Sequence, residues 1–104
     1  MKQAAKALLA ITLSILLYPQ HALAVTQCEI KIQSLFTGDD GSVWIFYTNN
    51  GSAAITQSDP DFATTVSFAM SALLASRPVV VRYAADGIAC DASARHDLIG
   101  LYLR

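Results

Sequence analysis

Residues 42–51, SVWIFYTNNG, carry the clearest strand and hairpin pattern in the chain. The segment 43–47 consists only of β-branched and aromatic residues, the types that favour a strand. Alternation along a strand divides it into two faces, of which one holds Val43, Ile45 and Tyr47 and the other Trp44 and Phe46. Neither face is polar, so both are predicted to be covered, unless one is a contact surface. The Asn-Gly pair that follows tolerates the positive φ angles of a tight turn and predicts a hairpin.

Two further strands are predicted around this one. Residues 28–33, CEIKIQ, alternate between polar and apolar and indicate a half-buried strand that extends through Leu35 and Phe36. Residues 37–41, TGDDG, are typical of a turn. Residues 52–56 are expected to return as a short strand after the hairpin. The first half of the domain is therefore predicted to be a three-stranded antiparallel meander.

The apolar period becomes helical after residue 58. Asp59 is the predicted N-cap, and Pro60 suits the first helical position. The helix is expected to end near Ser76, because Pro78 disfavours a helical conformation in the residue before it. Six residues at helical spacing form the predicted core face: Phe62, Val66, Ala69, Met70, Leu73 and Leu74.

The opposite face of this helix carries no charge. Its residues are Thr64, Phe68, Ser71 and Ala75. A free surface helix usually presents charged and polar side chains there. Two interpretations stay open, a small-residue solvent face or an interface with another subunit.

Two strands are predicted after the helix. Residues 79–83, VVVRY, indicate a buried strand, and residues 97–103, DLIGLYL, indicate the closing strand. A loop over 84–94 separates them. Five short strands around one helix suit a small, partly open barrel such as the OB-fold. The predicted class is therefore α+β, mainly β: an OB-like five-stranded antiparallel barrel with one helix between strands three and four.

The first 24 residues have the order of a secretory signal peptide. Lys2 and Lys6 precede an uncharged apolar run over 7–18, and Ala22-Leu23-Ala24 matches the small-x-small cleavage pattern. The run is shorter than the roughly 20 residues that span a bilayer. Residues 1–24 are therefore predicted to be a cleavable signal peptide and 25–104 a single domain. The product is expected to be secreted or periplasmic, with no membrane span after cleavage.

Cys28 and Cys90 are predicted to form a disulfide, because an exported protein meets an oxidising compartment. Two cysteines and the single histidine after residue 24 are too few for a structural zinc site. No C-x-x-C motif is present for redox chemistry. The sequence thus predicts neither a metal nor a cofactor.

Charge and motifs exclude several functions. Two of the seven cations lie in the signal segment, so the domain carries five cations against eight anions. No basic stripe exists for nucleic acid. His96 and Asp97 are neighbours on a predicted strand and point to opposite faces, so Asp97 cannot easily orient His96 as a base. The chain is therefore predicted not to be an enzyme.

The predicted binding cluster lies near the hairpin tip and consists of Trp44, Tyr47, Asn49 and Asn50. Aromatic rings can stack on sugars, and loop tips carry function more often than core strands do. The alternative for Trp44 is core packing, which a small domain needs.

This layout resembles the B subunits of bacterial AB-type toxins, the group that includes cholera toxin and subtilase cytotoxin. The resemblance rests on the signal peptide, Cys28, the meander, a single helix that starts at residues 59–62, DPDF, and Cys90. The run 72–83, ALLASRPVVVRY, and GIAC at 87–90 are also similar to small secreted proteins grouped with the subtilase-cytotoxin B subunit. The resemblance implies an OB-fold, a pentameric ring with helices around its centre, a face that binds host glycans, and a separate catalytic A subunit. In contrast to cholera toxin's B subunit, Cys90 lies beyond the strand after the helix, and no glycan-contacting residue can be carried over.

The predicted function is therefore that of a secreted binding module, an oligomeric glycan-binding protein similar to toxin B subunits. The alternative is a monomeric periplasmic or secreted protein that binds or inhibits another protein.

Overall fold

The chain forms strands wherever apolar residues alternate and one helix where their spacing widens. The computed structural model describes residues 24–38 and 40–104, so the predicted signal peptide lies outside the described residues except for Ala24. The elements, in chain order, are β1 (Thr26–Thr37), β2 (Val43–Tyr47), β3 (Ser52–Ile55), α1 (Phe62–Ala75), β4 (Pro78–Tyr83) and β5 (Leu98–Leu103). This order confirms the predicted succession of three strands, one helix and two strands. No helix in the described ranges is long and apolar enough to cross a membrane.

The five strands form one antiparallel sheet in the order β3-β2-β1-β4-β5. β1 is central because its 12 residues serve two neighbours. Its first half pairs with β4, from Thr26 opposite Tyr83 onward, and its second half pairs with β2, ending with Thr37 opposite Val43. Over the described residues the sheet is not closed: β3 meets the segment before β5 in a single parallel bridge, Ala53 to Arg95.

The core lies between α1 and the inner face of the sheet. Its largest fully buried side chains are Tyr47, Tyr83, Ile45, Val79 and Val81. All five stand at alternate strand positions, as the period of two requires. The helix contributes Ala69 and Ala72, whose small side chains let it approach the sheet closely.

The helix begins later than the sequence predicts. The first helical residue is Phe62 and its N-cap is Asp61, not Asp59. Asp59 instead forms a turn, in which its Oδ1 accepts a hydrogen bond of 2.8 Å from the backbone N–H of Asp61. The N–H of Phe62 bonds to the carbonyl of Asp59 at 3.0 Å, so this turn leads directly into the helix. The predicted end is confirmed, since Ser76 is the C-cap in the left-handed conformation, with φ 52°.

The predicted core face of the helix is wrong for two residues. Met70 is 49% exposed and Leu74 is 82% exposed. At about 100° per residue, Met70 lies about 100° from Ala69 around the helix axis and Leu74 about 140°, so both point away from the buried side. The buried stripe is narrow and centred on Ala69.

The predicted disulfide between Cys28 and Cys90 is confirmed. The two Cα atoms are 5.5 Å apart. Cys28 is buried in β1, and Cys90 lies in the loop between β4 and β5. The bridge therefore fastens this loop to the central strand.

Candidate binding face

Aromatic side chains gather on the outer face of the sheet, opposite the core. Side chains alternate in direction along a strand. Trp44 and Phe46 therefore point away from the core, whereas Ile45 and Tyr47 point into it. In β1, Phe36 is the cross-strand partner of Trp44. The sheet register therefore assembles three aromatic rings on one surface.

A histidine completes this surface. The ring centroids of Trp44 and His96 are 5.5 Å apart with the planes at 80°, an edge-on contact. Those of Trp44 and Phe46 are 6.4 Å apart at 20°. Phe36 is 57% exposed, Phe46 is 38% exposed, and Trp44 is partly exposed. We call Phe36, Trp44, Phe46 and His96 the outer aromatic face; it is open to solvent and apolar apart from its imidazole.

His96 is held in place by its two neighbours. The backbone of Arg95 accepts a hydrogen bond of 2.8 Å from the N–H of Ala54 and donates one of 3.1 Å to Ser52. The Arg95 guanidinium donates two hydrogen bonds to the Asp97 carboxylate, at 2.9 and 2.7 Å. Because consecutive residues in an extended segment alternate in direction, the ion pair and His96 point to opposite sides. His96 is thereby directed toward Trp44.

The pKa values of both members of this ion pair are shifted toward their charged forms. The hydrogen bonds from Arg95 lower the pKa of the Asp97 carboxyl, and the backbone N–H of Ala85, which donates at 3.0 Å, lowers it further. The same contact with Asp97 raises the pKa of Arg95. The pair therefore stays ionised and holds the segment that carries His96.

Tyr47, predicted as a surface binding residue, is only 1% exposed, so its predicted surface position is wrong. Its hydroxyl lies 2.7 Å from that of Tyr83 inside the core. Burial raises the pKa of both phenols. The alternation of the strand explains the outcome, since it separates Tyr47 from Trp44 by the thickness of the sheet.

The two asparagines of the predicted cluster form the turn. Asn50 takes the positive φ, 74°, and the N–H of Tyr47 bonds to the carbonyl of Gly51 at 2.9 Å, so the loop has three residues. Asn49 accepts a hydrogen bond of 2.8 Å from Gly51 N–H and donates one of 2.9 Å to the carbonyl of Cys90. The Asn49 side chain thus joins the hairpin to the disulfide loop, while Asn50 is exposed. The predicted cluster is therefore not assembled as one surface.

The uncharged helix face lies where the sequence places it. Its four residues, Thr64, Phe68, Ser71 and Ala75, are all exposed. Ser71 donates its hydroxyl to the carbonyl of Ser67 at 2.9 Å. Ser71 and Ala75 also border a groove of about 330 Å³ whose other walls are Arg77, Leu103 and Arg104. The face is thus accessible to a partner over its whole length.

No metal site is found: the described residues contain no group of three or more His, Cys, Asp or Glu side chains placed to hold an ion.

Phe36 and His96 share this face with Trp44, although the sequence did not predict either of them there. Phe36 could have been found from the sequence, because a turn over 37–41 sets the register that places Phe36 opposite Trp44. Nothing local points to His96, which reaches Trp44 from a segment about fifty residues further along the chain.

Comparison of the chain with protein-family models, curated proteins and solved structures finds no match.

Proposed function

We propose that this chain is a secreted, non-enzymatic module that binds a glycan on its outer aromatic face and assembles into a ring, as the toxin B subunits it resembles do. The observation that carries the proposal is the cross-strand pair of Phe36 and Trp44 with its neighbours Phe46 and His96.

The chemistry of this face suits a carbohydrate. Sugar rings present apolar C–H faces that pack on aromatic rings, and their hydroxyls need polar partners at the edge of the contact. Three partly exposed aromatic rings offer an apolar surface for the C–H face, and the His96 imidazole offers a polar partner for a hydroxyl. Because its three aromatic residues lie on paired strands, and the segment with His96 is hydrogen-bonded to β3 through Arg95, the face is ordered before a ligand arrives.

The contact between the two outermost strands supports an OB-like arrangement. The bridge from Ala53 to Arg95 is parallel and brings β3 next to the segment that enters β5. A barrel closes by joining such edges. The ring is supported by the exposed, charge-free face of α1, since a closed cyclic assembly would cover a surface of this kind.

Export is supported by the Cys28–Cys90 disulfide, which persists in oxidising compartments. Intact-mass analysis of the exported protein is expected to give a chain that begins at Val25. A mass that includes residues 1–24 contradicts the export proposal.

Glycan-array binding of the disulfide-bonded protein tests the binding site. Trp44→Ala is expected to abolish the array signal, because the central ring of the face is lost, whereas Trp44→Phe should retain part of it. Tyr102→Ala is the matched control, since this tyrosine is 50% exposed and lies in β5, away from the face. Equal signals for Trp44→Ala and the wild type overturn the assignment, as does an array on which the wild type binds nothing.

The second candidate, a monomer that binds or inhibits another protein, is favoured by the composition of the same face. His96 is its one ionisable side chain, and exposed Trp and Phe are typical of protein interfaces. A wild-type protein that is monomeric by light scattering and silent on the array favours this candidate.

A further inference from the structure

The turn between β2 and β3 contains an Asn-Gly pair, the dipeptide in which an asparagine side chain is chemically least stable. The backbone nitrogen of the glycine attacks Cγ of the asparagine, and glycine favours this because it has no side chain to obstruct the approach. A bond forms between that nitrogen and Cγ, the bond between Cγ and Nδ2 breaks, and the amide nitrogen leaves as ammonia with the proton of the backbone N–H. Water then opens the succinimide ring at either carbonyl and yields aspartate or isoaspartate.

One partner of this reaction is accessible in the fold, and the other is restrained. Asn50 is exposed, with φ 74°. Gly51 is buried, and its N–H donates a hydrogen bond of 2.8 Å to Oδ1 of Asn49. The backbone nitrogen becomes a nucleophile only when it loses its proton, and an amide oxygen is too weak a base to take it. The bond to Asn49 therefore keeps the nitrogen of Gly51 protonated and directed away from Asn50.

The side chain of Asn49 is itself held from the other end. Its Nδ2 donates a hydrogen bond of 2.9 Å to the carbonyl of Cys90. Cys90 is joined to the buried Cys28 by the disulfide. We call the Asn49 side chain with these two hydrogen bonds the Asn49 clamp. Because both ends of the amide are bonded, the disulfide loop fixes the clamp over the N–H of Gly51.

Crowding around Gly51 restricts the backbone in the same direction. A Cβ atom at this position would lie 2.9 Å from Cδ2 of Tyr47 and 3.0 Å from the carbonyl oxygen of Ala92. The N–H of Ser52, the next residue, bonds to the same carbonyl at 3.2 Å. Attack on Cγ of Asn50 requires the peptide plane before Gly51 to rotate, and these contacts oppose that rotation.

We propose that Asn50 is a modification site that deamidates when the Asn49 clamp is released and remains an asparagine while the clamp is closed. The rate is then set by local opening of the turn and the disulfide loop rather than by unfolding of the whole domain. Isoaspartate adds one methylene to the main chain next to the crowded Gly51, so a modified turn does not regain its packing when the loop closes. The modification therefore marks permanently a chain whose loop has opened. The inference does not depend on glycan binding or on the ring.

Measuring isoaspartate in folded and unfolded protein tests the site. The disulfide-bonded wild type is incubated at neutral pH with and without urea. Isoaspartate is quantified with protein isoaspartate methyltransferase and located by peptide mass spectrometry. Asn50 is expected to be modified in urea, and about tenfold or more slowly in the folded protein. Equal rates in the two states overturn the protection, and an unfolded chain that stays unmodified overturns the site.

Substitution of Asn49 tests the clamp. Folded Asn49→Ala is expected to deamidate at Asn50 about 3- to 10-fold faster than the folded wild type, because one hydrogen bond no longer restrains the N–H of Gly51. Asn49→Asp is the matched control, since it keeps an oxygen acceptor for that N–H and should stay closer to the wild-type rate. An Asn49→Ala protein that deamidates at the wild-type rate overturns the proposal.

The double variant Cys28→Ser/Cys90→Ser tests the anchor of the clamp. It should also deamidate faster than the wild type, because the loop that holds Asn49 is no longer fastened. A wild-type rate in this variant shows that the disulfide does not hold the clamp and overturns that step of the inference.

Global unfolding is the other route by which a variant would deamidate faster. Val79→Ala controls for it, since Val79 is fully buried in β4 and its truncation lowers stability without removing a contact of the clamp. This variant is expected to deamidate more slowly than Asn49→Ala. If Val79→Ala is as fast, unfolding of the whole domain and not the clamp controls the reaction, and the proposal fails.

Discussion

Gly51 occupies a position at which the fold leaves no room for a side chain. A Cβ atom there would lie 2.9 Å from Cδ2 of Tyr47 and 3.0 Å from both the carbonyl oxygen of Ala92 and Oδ1 of Asn49. These neighbours belong to the core, the disulfide loop and the hairpin turn. Gly51 is therefore the point where three parts of the molecule converge.

Gly51→Ala is expected to lower the free energy of unfolding by about 1–3 kcal/mol, because the added methyl group overpacks this junction. Urea denaturation measures the change. Gly100→Ala is the matched control, since its nearest contact would be an ordinary 3.6 Å to Cδ of Arg82. Equal losses for the two variants would show that the crowding at Gly51 is unimportant.

The ion pair of Arg95 and Asp97 makes the stability of the protein depend on pH in the acid range. The folded pKa of Asp97 lies below the ordinary value of 3.8, so the folded state favours the carboxylate. The resulting stabilisation is complete above the ordinary pKa and is lost as the pH falls through the folded pKa. Asp97→Asn should therefore lower the Tm at pH 7, and the difference from wild type should shrink in acid.

Thermal unfolding followed by circular dichroism at neutral and acid pH checks this expectation. Asp86→Asn, at an exposed position, is the matched control. A difference between Asp97→Asn and wild type that stays constant on acidification would contradict the linkage.

At the scale of the element, α1 shows what periodicity does and does not determine. The existence and the end of the helix follow from local residues. The apolar spacing predicts the helix, and Pro78 ends it by disfavouring a helical conformation at Arg77. The buried side is set by the neighbours of the helix. Met70 and Leu74 are as apolar as core residues, yet they lie beyond the narrow contact that Ala69 and Ala72 make.

The strands divide in the same way. Alternation separates Trp44 from Tyr47, but it does not identify the covered face, because both faces are apolar. A period of two therefore predicted which side chains lie together but not which of them are exposed. The predicted cluster at the hairpin tip joined Trp44 and Tyr47 although alternation places them on opposite faces, and it is therefore wrong for Tyr47.

Ser71→Glu is expected to dissociate the proposed ring, because like charges would meet around its axis. The helix should persist, since Ser71 is exposed and not part of the core. Light scattering measures the assembly, and circular dichroism measures the helix. Ser71→Gln, of similar size but neutral, is the control and should retain the ring. If both variants assemble equally, the face does not lie at the axis.

At the scale of the whole molecule, the disulfide acts on parts that are remote in sequence. Cys28 and Cys90 are 62 residues apart, and the loop they secure also bonds to Asn49 and Ser52. The pairing was predictable because the chain has two cysteines. The contacts of the loop with the hairpin were not, since they depend on long-range geometry that no local pattern encodes.

Cys90→Ser is expected to destabilise the protein by about 2–5 kcal/mol, the usual effect of removing a native disulfide from a small secreted domain. Urea unfolding measures it. The double variant Cys28→Ser/Cys90→Ser controls for effects of a free thiol and should lose a similar amount. Stabilities equal to the wild type in both variants would show that packing alone secures the loop.

The central position of β1 has a consequence for biosynthesis. Ribosomes deliver the chain from its N-terminus, so β1 is available before either of its neighbours. The meander with β2 and β3 is local and is able to form early, whereas the first half of β1 waits for β4, which follows the helix in the chain. Until then its backbone is an unpaired edge, the kind of template on which other chains aggregate. A chain whose helix and β4 have not yet been delivered is therefore the most vulnerable to aggregation, and a chaperone that covers this edge would be most useful during that interval.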